Sequence, residues 1–206
     1  SYLLCLKNPV SIAKAYGTTI GVTAVGTAFA VFIATMTGYV LSRKDFPWRN
    51  KFSFFFFFTT LFSGGLVPWY MLCVRYLLFL FVMLFNAGMI PNYMLVRDLG
   101  LMNTRMAMIF PTALSIYNMI IAKSFMNGIP SAITESAKID GANDFVIFMK
   151  LILPLSKPLI ATLSLFSALA YWNDWYNCML YITNEDMFTL QYYLQRILGS
   201  AEAMRI

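Results

Sequence analysis

The chain has 206 residues, 60% of them hydrophobic and only 12% charged, with a net charge of +6. A soluble domain is about half apolar and about a quarter charged, so this balance excludes a soluble enzyme of this length, and 19 Phe with 14 Met exclude a disordered, solvated tail. The positive charge is gathered in loops between apolar runs, which points to a membrane rather than to nucleic acid.

A transmembrane helix needs about 20 apolar residues, so the length allows about five spans with their loops. Histidine is absent, which removes any His-based metal site, proton relay or catalytic triad from this chain. Cys5, Cys73 and Cys178 are scattered through apolar runs and form no C-x-x-C pair. They read as small buried hydrophobes.

The first span is expected from about Thr18 to Leu41, a stretch without a charge and rich in small residues: Gly21, Ala24, Gly26, Ala28, Ala30, Ala34 and Gly38. Such a helix lets neighbouring backbones approach closely in a bilayer. It is too long for a signal-peptide core and lies inside the chain. The next segment, 42–51, sets Arg43, Lys44, Arg49 and Lys51 against Asp45 alone, so the positive-inside rule makes it cytoplasmic, with Trp48 at the headgroup level.

A second apolar run covers Phe52 to Val74, with consecutive phenylalanines from Phe54 to Phe58, and a third covers Tyr76 to Val96, interrupted by Asn86, Pro91 and Asn92. A fourth runs from Met106 to Ala122 and a fifth from Pro158 to about Ile182. The tail from Thr183 is amphipathic, with Leu190, Leu194, Ile197 and Leu198 at helical spacing. Between the fourth and fifth runs lies a polar stretch, 123–157, whose lysines again argue for the cytoplasm. Two cytoplasmic loops require an even number of crossings between them, yet three apolar runs intervene. One of the three is therefore not a complete span. A repeat bears on this: F-x-x-G-x-x-P-x-Y-M-L occurs at Phe62–Leu72 and again at Phe85–Leu95. Each copy carries a Gly–Pro break that ends or kinks a helix, and the status of 75–98 stays open.

The polar stretch carries the most information. Pro130 and Ser131 mark a helix start, residues 131–138 make about two turns, and Asp140–Gly141 is a turn signal in which Gly takes a positive φ. A second helix is expected with Phe145, Phe148, Ile152 and Leu153 on one face, and Pro154 and Pro158 mark the return to the membrane. The unit at 125–157 is thus a helix–turn–helix hairpin outside the lipid, shaped to dock into a groove of another protein.

Here the chain resembles a known family. Glu135-Ser136-Ala137, three residues, Gly141, nine residues, then Leu151-Ile-Leu-Pro154 resembles the EAA loop of bacterial ABC importer permeases, with Ser136 for the second residue and Leu151 for an isoleucine as departures. Gly38-Tyr-Val-Leu-Ser-Arg43 with Phe46, Leu99-Gly-Leu-Met-Asn-Thr104 and Tyr171-Trp-Asn-Asp-Trp175 resemble further segments of the carbohydrate branch, on the side of the maltose-type second permease. The resemblance covers most of residues 11–198. It implies an all-α, polytopic transmembrane bundle of the type I importer fold, a single permease domain over 1–206 that lacks the family's first and last of six spans, as a fragment would. The doubled motif departs from the family's single copy.

The resemblance implies transport rather than catalysis. No G-x-x-x-x-G-K-[ST] occurs, so ATP and Mg are expected on two separate ATP-binding cassette subunits. Glu135, Ser136, Ala137, Asp140, Gly141 and Pro154 would form the hairpin that sits in a cleft of one such subunit: Glu135 pairing with a cation, Ala137 giving close contact, Gly141 allowing the turn. Further expected partners are a second related permease, a periplasmic or lipid-anchored solute-binding protein, membrane lipid and an oligosaccharide carried across the bacterial inner membrane. Peptide or amino-acid cargo, a free-standing channel and an intramembrane enzyme are the alternatives, the last opposed by the missing His and few buried carboxylates.

Asp174 stands apart. A carboxylate within an apolar run is costly and suggests function. With Tyr171, Trp172, Asn173 and Trp175 around it, it reads either as part of a sugar-lined path or as a residue of an interfacial aromatic belt.

Overall fold

The computed structural model describes residues 9–43, 46, 48–61 and 89–203. Its elements are α1 (Pro9–Ser42), α2 (Arg49–Leu61), α3 (Met89–Asp98), α4 (Arg105–Ala113), α5 (Ile116–Asn127), α6 (Ser131–Ile139), α7 (Asp144–Leu155), α8 (Lys157–Trp172), α9 (Tyr176–Tyr181) and α10 (Leu190–Ala203). No strand occurs among the described residues.

Helix α1 is the centre of the bundle and packs against α2, α4, α5, α8 and α10. It runs 34 residues, beginning well before the expected Thr18, because nothing from Pro9 onward breaks a helix. Its packing is the reverse of a soluble helix. Most of the buried stripe is small or hydroxylated, including Ala15, Thr19, Gly26, Ala30, Ala34 and Gly38, with Val22, Val31, Tyr39 and Leu41 as its larger members. The exposed positions are large and apolar, including Ile20 at 55% and Val25 at 53%. In lipid there is no hydrophobic drive between helices, so small residues that permit close backbone approach occupy the interface. The hydroxyls of Thr19 and Thr35 donate back to the carbonyls of Ala15 and Val31, so they carry no unpaired donor into the core.

Two glycines of α1 have no room for a side chain. A Cβ on Gly38 would lie 2.7 Å from Ala122 Cβ and 2.9 Å from the Lys123 backbone nitrogen. A Cβ on Gly26 would lie 2.8 Å from the Tyr171 ring. Gly38 thus sets the α1–α5 crossing and Gly26 the α1–α8 crossing. Buried Asn118 of α5 donates from Nδ2 to Ser167 Oγ of α8 at 3.2 Å, a polar link that adds to such packing.

Two apolar runs, the second helix of the hairpin and the tail differ from their expected form. The fourth is broken: α4 contains Pro111 and ends at Leu114 in an extended conformation. Ser115 starts α5 by accepting from the Asn118 N–H, and the two helices meet at 51°. The fifth run ends as a helix at Trp172, and α9 follows only after Asn173–Trp175. In α7, Phe148–Ile152 is π-helical, which widens the turn and rotates the buried face onto Ile147, Phe148 and Ile152. Phe145, expected on that face, is 55% exposed. Within the tail, Leu190 is buried and Leu198 is 57% exposed. Among the described residues one helix, α1, is long and apolar enough to cross a membrane, and α4–α5 and α7–α8 pass together as bent pairs.

The repeat lies largely outside the described residues: of its second copy, Met89–Leu95 opens α3. Lys44, Asp45, Cys5 and Cys73 also lie outside them. Cys178 is free and fully buried.

Candidate functional site

The 123–157 stretch folds as a hairpin of α6 and α7 at the end of the bundle that carries the basic segment. Pro130 is the N-cap of α6, as its fixed φ favours. The helix closes on paired bonds: the Gly141 N–H donates to the Lys138 carbonyl at 3.0 Å and the Ala142 N–H to the Ala137 carbonyl at 3.0 Å. This is a Schellman stop, in which the residue after the cap takes the left-handed conformation. Gly141 has φ +80°, where a Cβ is disfavoured by conformation. No atom crowds it within 4 Å. The turn therefore uses glycine for its backbone and not for space.

The expected hairpin residues divide into two sets. Ala137 is buried and packs in the chain's own core with Ala142, Phe148 and Ile152. Glu135, Ser136, Asp140 and Pro154 are exposed. The Ser136 hydroxyl donates to the Ile133 carbonyl at 3.1 Å, while Glu135 has no hydrogen-bond or ion-pair partner among the described residues. Ile139, which the motif does not single out, is 87% exposed between them. It is the most exposed large apolar residue of the hairpin. Its sequence signal is an apolar residue on the polar side of α6.

The hairpin is fastened to α1. Arg43 Nη1 sits 2.5 Å from Asp144 Oδ1 at the start of α7. The Arg43 guanidinium also lies 5.8 Å from the centre of the Tyr39 ring. Tyr39 in turn packs on Phe148 with centroids 5.4 Å apart, and Phe32 meets Phe148 edge-on. An ion pair and two aromatic contacts thus join α1 to α7, and the cation–π contact orients Arg43 within the end of α1. At Ser156 the chain turns by 83° from α7 into α8, so the hairpin is joined to both α1 and α8.

At the opposite end, Tyr171-Trp-Asn-Asp-Trp175 forms the α8–α9 break. Tyr171 is buried and its hydroxyl donates to the Ile109 carbonyl at 3.0 Å. Trp172 is half-buried. Asn173 is exposed and its amide donates to the Leu169 carbonyl at 2.9 Å. Half-buried Asp174 accepts from the Asn177 N–H at 3.1 Å and from its side-chain amide at 2.7 Å. It thereby satisfies one free backbone donor in the first turn of α9. Trp175 is exposed and meets Tyr176 edge-on. The Leu99–Thr104 loop is pinned nearby: Asn103 at φ +58° accepts through Oδ1 from the Thr183 N–H, the Thr183 hydroxyl and the Asn184 N–H. No group of three or more metal-ligating side chains occurs among the described residues.

Comparison with known proteins identifies the family and the fold. The family described as binding-protein-dependent transport system inner membrane component matches residues 13–189. The polygalacturonan/rhamnogalacturonan transport system permease protein YtcP of Bacillus subtilis (strain 168) is 39% identical over 194 residues, which is 94% of this chain and 60% of that protein. The arabinooligosaccharides transport system permease protein AraQ of Halalkalibacterium halodurans is 27% identical over 85% of this chain and 55% of its own length. Among solved structures, a chain of a bacterial ABC transporter involved in the import of the acidic polysaccharide alginate superposes with a TM-score of 0.76 at 29% identity, covering 91% of this chain and 59% of that one. The chain spans about three fifths of the length of these relatives.

Proposed function

The chain belongs to the family of binding-protein-dependent transport system inner membrane components, and on that premise we propose that it is the permease of an ATP-driven importer carrying an oligosaccharide or sugar derivative across the cytoplasmic membrane of a bacterium. The relatives support the cargo class: their names specify polygalacturonan or rhamnogalacturonan, arabinooligosaccharides and alginate. ATP and Mg belong to two cassette subunits. A second related permease completes the pathway, and a solute-binding protein delivers the cargo.

The observation that carries the mechanism is the α6–α7 hairpin. Its outward face presents Glu135, Ile139 and Asp140, and its inward face is locked to α1 through Arg43–Asp144 and Tyr39–Phe148. Ile139 enters an apolar depression of a cassette subunit, and Glu135 pairs with a cation at its rim. Closure of the cassette dimer displaces the hairpin as a unit, because the Schellman stop fixes α6 against α7. The displacement reaches α1 through the ion pair and α8 through the 83° bend, and shifts the bundle between inward- and outward-open states. On this reading the basic segment and the hairpin are cytoplasmic.

The test is purification of the full-length transporter from membranes. Glu135→Lys and Ile139→Asp are expected to lose the cassette subunit, and transport with it, while the permease itself still accumulates folded. Retention of the subunit and of sugar uptake by both variants would remove the hairpin from the coupling path.

A further inference from the structure

A cavity of about 680 Å³ opens between the end of α1, the start of α2, the end of α5 and the start of α6. Of the hairpin's outward face, Glu135 lines it, while Ile139 and Asp140 do not. Arg43, Arg49, Lys123 and Lys138 line it, and among the described residues Glu135 is the one carboxylate that does. Arg43 is engaged by Asp144, and Glu135 lies three residues from Lys138 on the same helix, where it offsets that charge. Arg49 and Lys123 remain as the excess. No carboxylate pairs with either among the described residues, and the Lys123 ammonium donates to the Ser53 hydroxyl at 2.6 Å. Two helix starts border the same space, α2 at Arg49 and Asn50 and α6 at Pro130 and Ser131. No side chain caps α6 and its first turn has no acid, so its free N–H groups add positive potential. The volume lies within the range of small-ligand sites.

The depth of the cavity is indicated by Trp48, the residue before α2. It is 54% exposed, and Lys51 lies over its ring at 4.5 Å. A Trp–Lys pair of this kind belongs at the headgroup level of a bilayer.

We propose that this cavity binds a phosphate-bearing anion, with the phosphodiester headgroup of an acidic phospholipid from the adjacent leaflet as its source. Cations between helices on the cytoplasmic side recognise such headgroups, and a headgroup bound here bridges α1, α2, α5 and α6. It would strengthen the inner end of the bundle where the chain's own contacts leave positive charge in excess. The inference shares the sidedness of the permease reading but does not depend on sugar transport.

The experiment uses the intact transporter in nanodiscs of phosphatidylcholine, with and without phosphatidylglycerol, and counts bound acidic lipid by native mass spectrometry alongside thermal unfolding. Phosphatidylglycerol is expected to stay bound to the wild type and raise its unfolding temperature by about 3–5 °C. Arg49→Gln and Lys123→Gln should each weaken retention about fivefold, from the loss of one near-surface cation, and the charge-keeping Arg49→Lys and Lys123→Arg should restore it. Lys157→Gln, an exposed change outside the cavity, should leave it intact. Inorganic phosphate added to the phosphatidylcholine sample separates the sources: no shift supports the lipid, and an equal shift lost in Arg49→Gln assigns the same site to a soluble phosphate instead, overturning the lipid source. Equal lipid retention and equal shift in wild type, Arg49→Gln and Lys123→Gln would overturn the site itself, whatever the uptake assay shows.

Discussion

The two ends of the bundle, outer and inner on the proposed sidedness, use the same device to different purposes. At the outer end, Gly100 at φ +67° stops α3 with the Gly100 and Leu101 N–H groups bonded to the carbonyls of Arg97 and Val96. At the inner end, Gly141 stops α6 in the same way. Beyond the stop they diverge. Outer-end polar groups find partners inside the chain: Asn103 takes three donors from Thr183 and Asn184, Asp174 caps α9, and Lys14–Asp186 and Arg196–Glu185 close the surface. The inner end leaves Glu135 and Ile139 facing outward and gathers cations around a cavity. Among the described residues, the polar groups of the outer end are largely paired within the chain. On the proposed coupling, the inner end is left for partners. Damage to the first should appear as lost stability, and damage to the second as lost coupling in a folded protein.

The largest stability effect separating the ends is expected at Asn103. Replacing it by Ala removes the acceptor for three donors and places a Cβ-bearing residue without a helpful side chain at φ +58°. The combined cost is about 2–3 kcal/mol, read as a fall in unfolding temperature of the full-length protein in detergent. Asn103→Asp keeps the acceptor and should stay close to wild type. Asn103→Gly keeps only the backbone freedom and should fall between. Equal stability of Ala and Asp variants would mean that the bonds to Thr183 and Asn184 contribute nothing.

The paired substitutions Gly100→Ala and Gly141→Ala test the comparison directly. Neither site is crowded within 4 Å, so both pay only for a positive φ, about 1 kcal/mol each. Matching losses of stability are expected. Only Gly141→Ala should also lower uptake per folded molecule, because it loosens the angle between α6 and α7. Uptake reduced equally in both variants would show that the glycine stop at the inner end serves folding alone.

How far these features were legible in the sequence follows from their range. The Gly141 stop and the register of Glu135, Gly141 and Pro154 depend on neighbours a few residues apart, and the residue pattern alone places them. Arg43–Asp144 joins residues about a hundred positions apart, and no local pattern predicts it. The apolar runs show a different limit. Hydropathy counts side chains, so Met106–Ala122 and Pro158–Ile182 read as continuous. The backbone is interrupted where Ser115 and Asp174 offer side-chain acceptors to the next helix, and those short polar residues are themselves the signal for the breaks. The rotated face of α7 comes from the π-helical turn at Phe148–Ile152, which changes the period on which the assignment of Phe145 rests.

A smaller effect is expected at the fastening of the hairpin. The Arg43 side chain is 19% exposed and that of Asp144 57%, so the pair is worth about 0.5–1 kcal/mol after solvent screening. Arg43→Gln and Asp144→Asn should therefore change stability little while reducing the transport obtained per ATP hydrolysed. The exchanged pair, Arg43→Asp with Asp144→Arg, should recover part of that coupling, less the Arg43–Tyr39 contact. Coupling unchanged in both single variants would show that α1 receives hairpin motion through Tyr39 and Phe148 instead.

The smallest effect is expected at Ser156, where α7 turns into α8. Its backbone is fully used: the N–H bonds to the Ile152 carbonyl at 2.9 Å, and its carbonyl receives the Ile160 N–H at 2.9 Å. Its hydroxyl is buried and without a partner among the described residues. A buried donor left unmade costs stability, and removing it returns that cost minus the contacts of one atom. Ser156→Ala should thus be neutral or stabilising by up to about 1 kcal/mol, with uptake unchanged. A clear loss of uptake at normal stability would mean that the hydroxyl acquires a partner when the 83° bend changes, and would place Ser156 in the moving joint between the hairpin and α8.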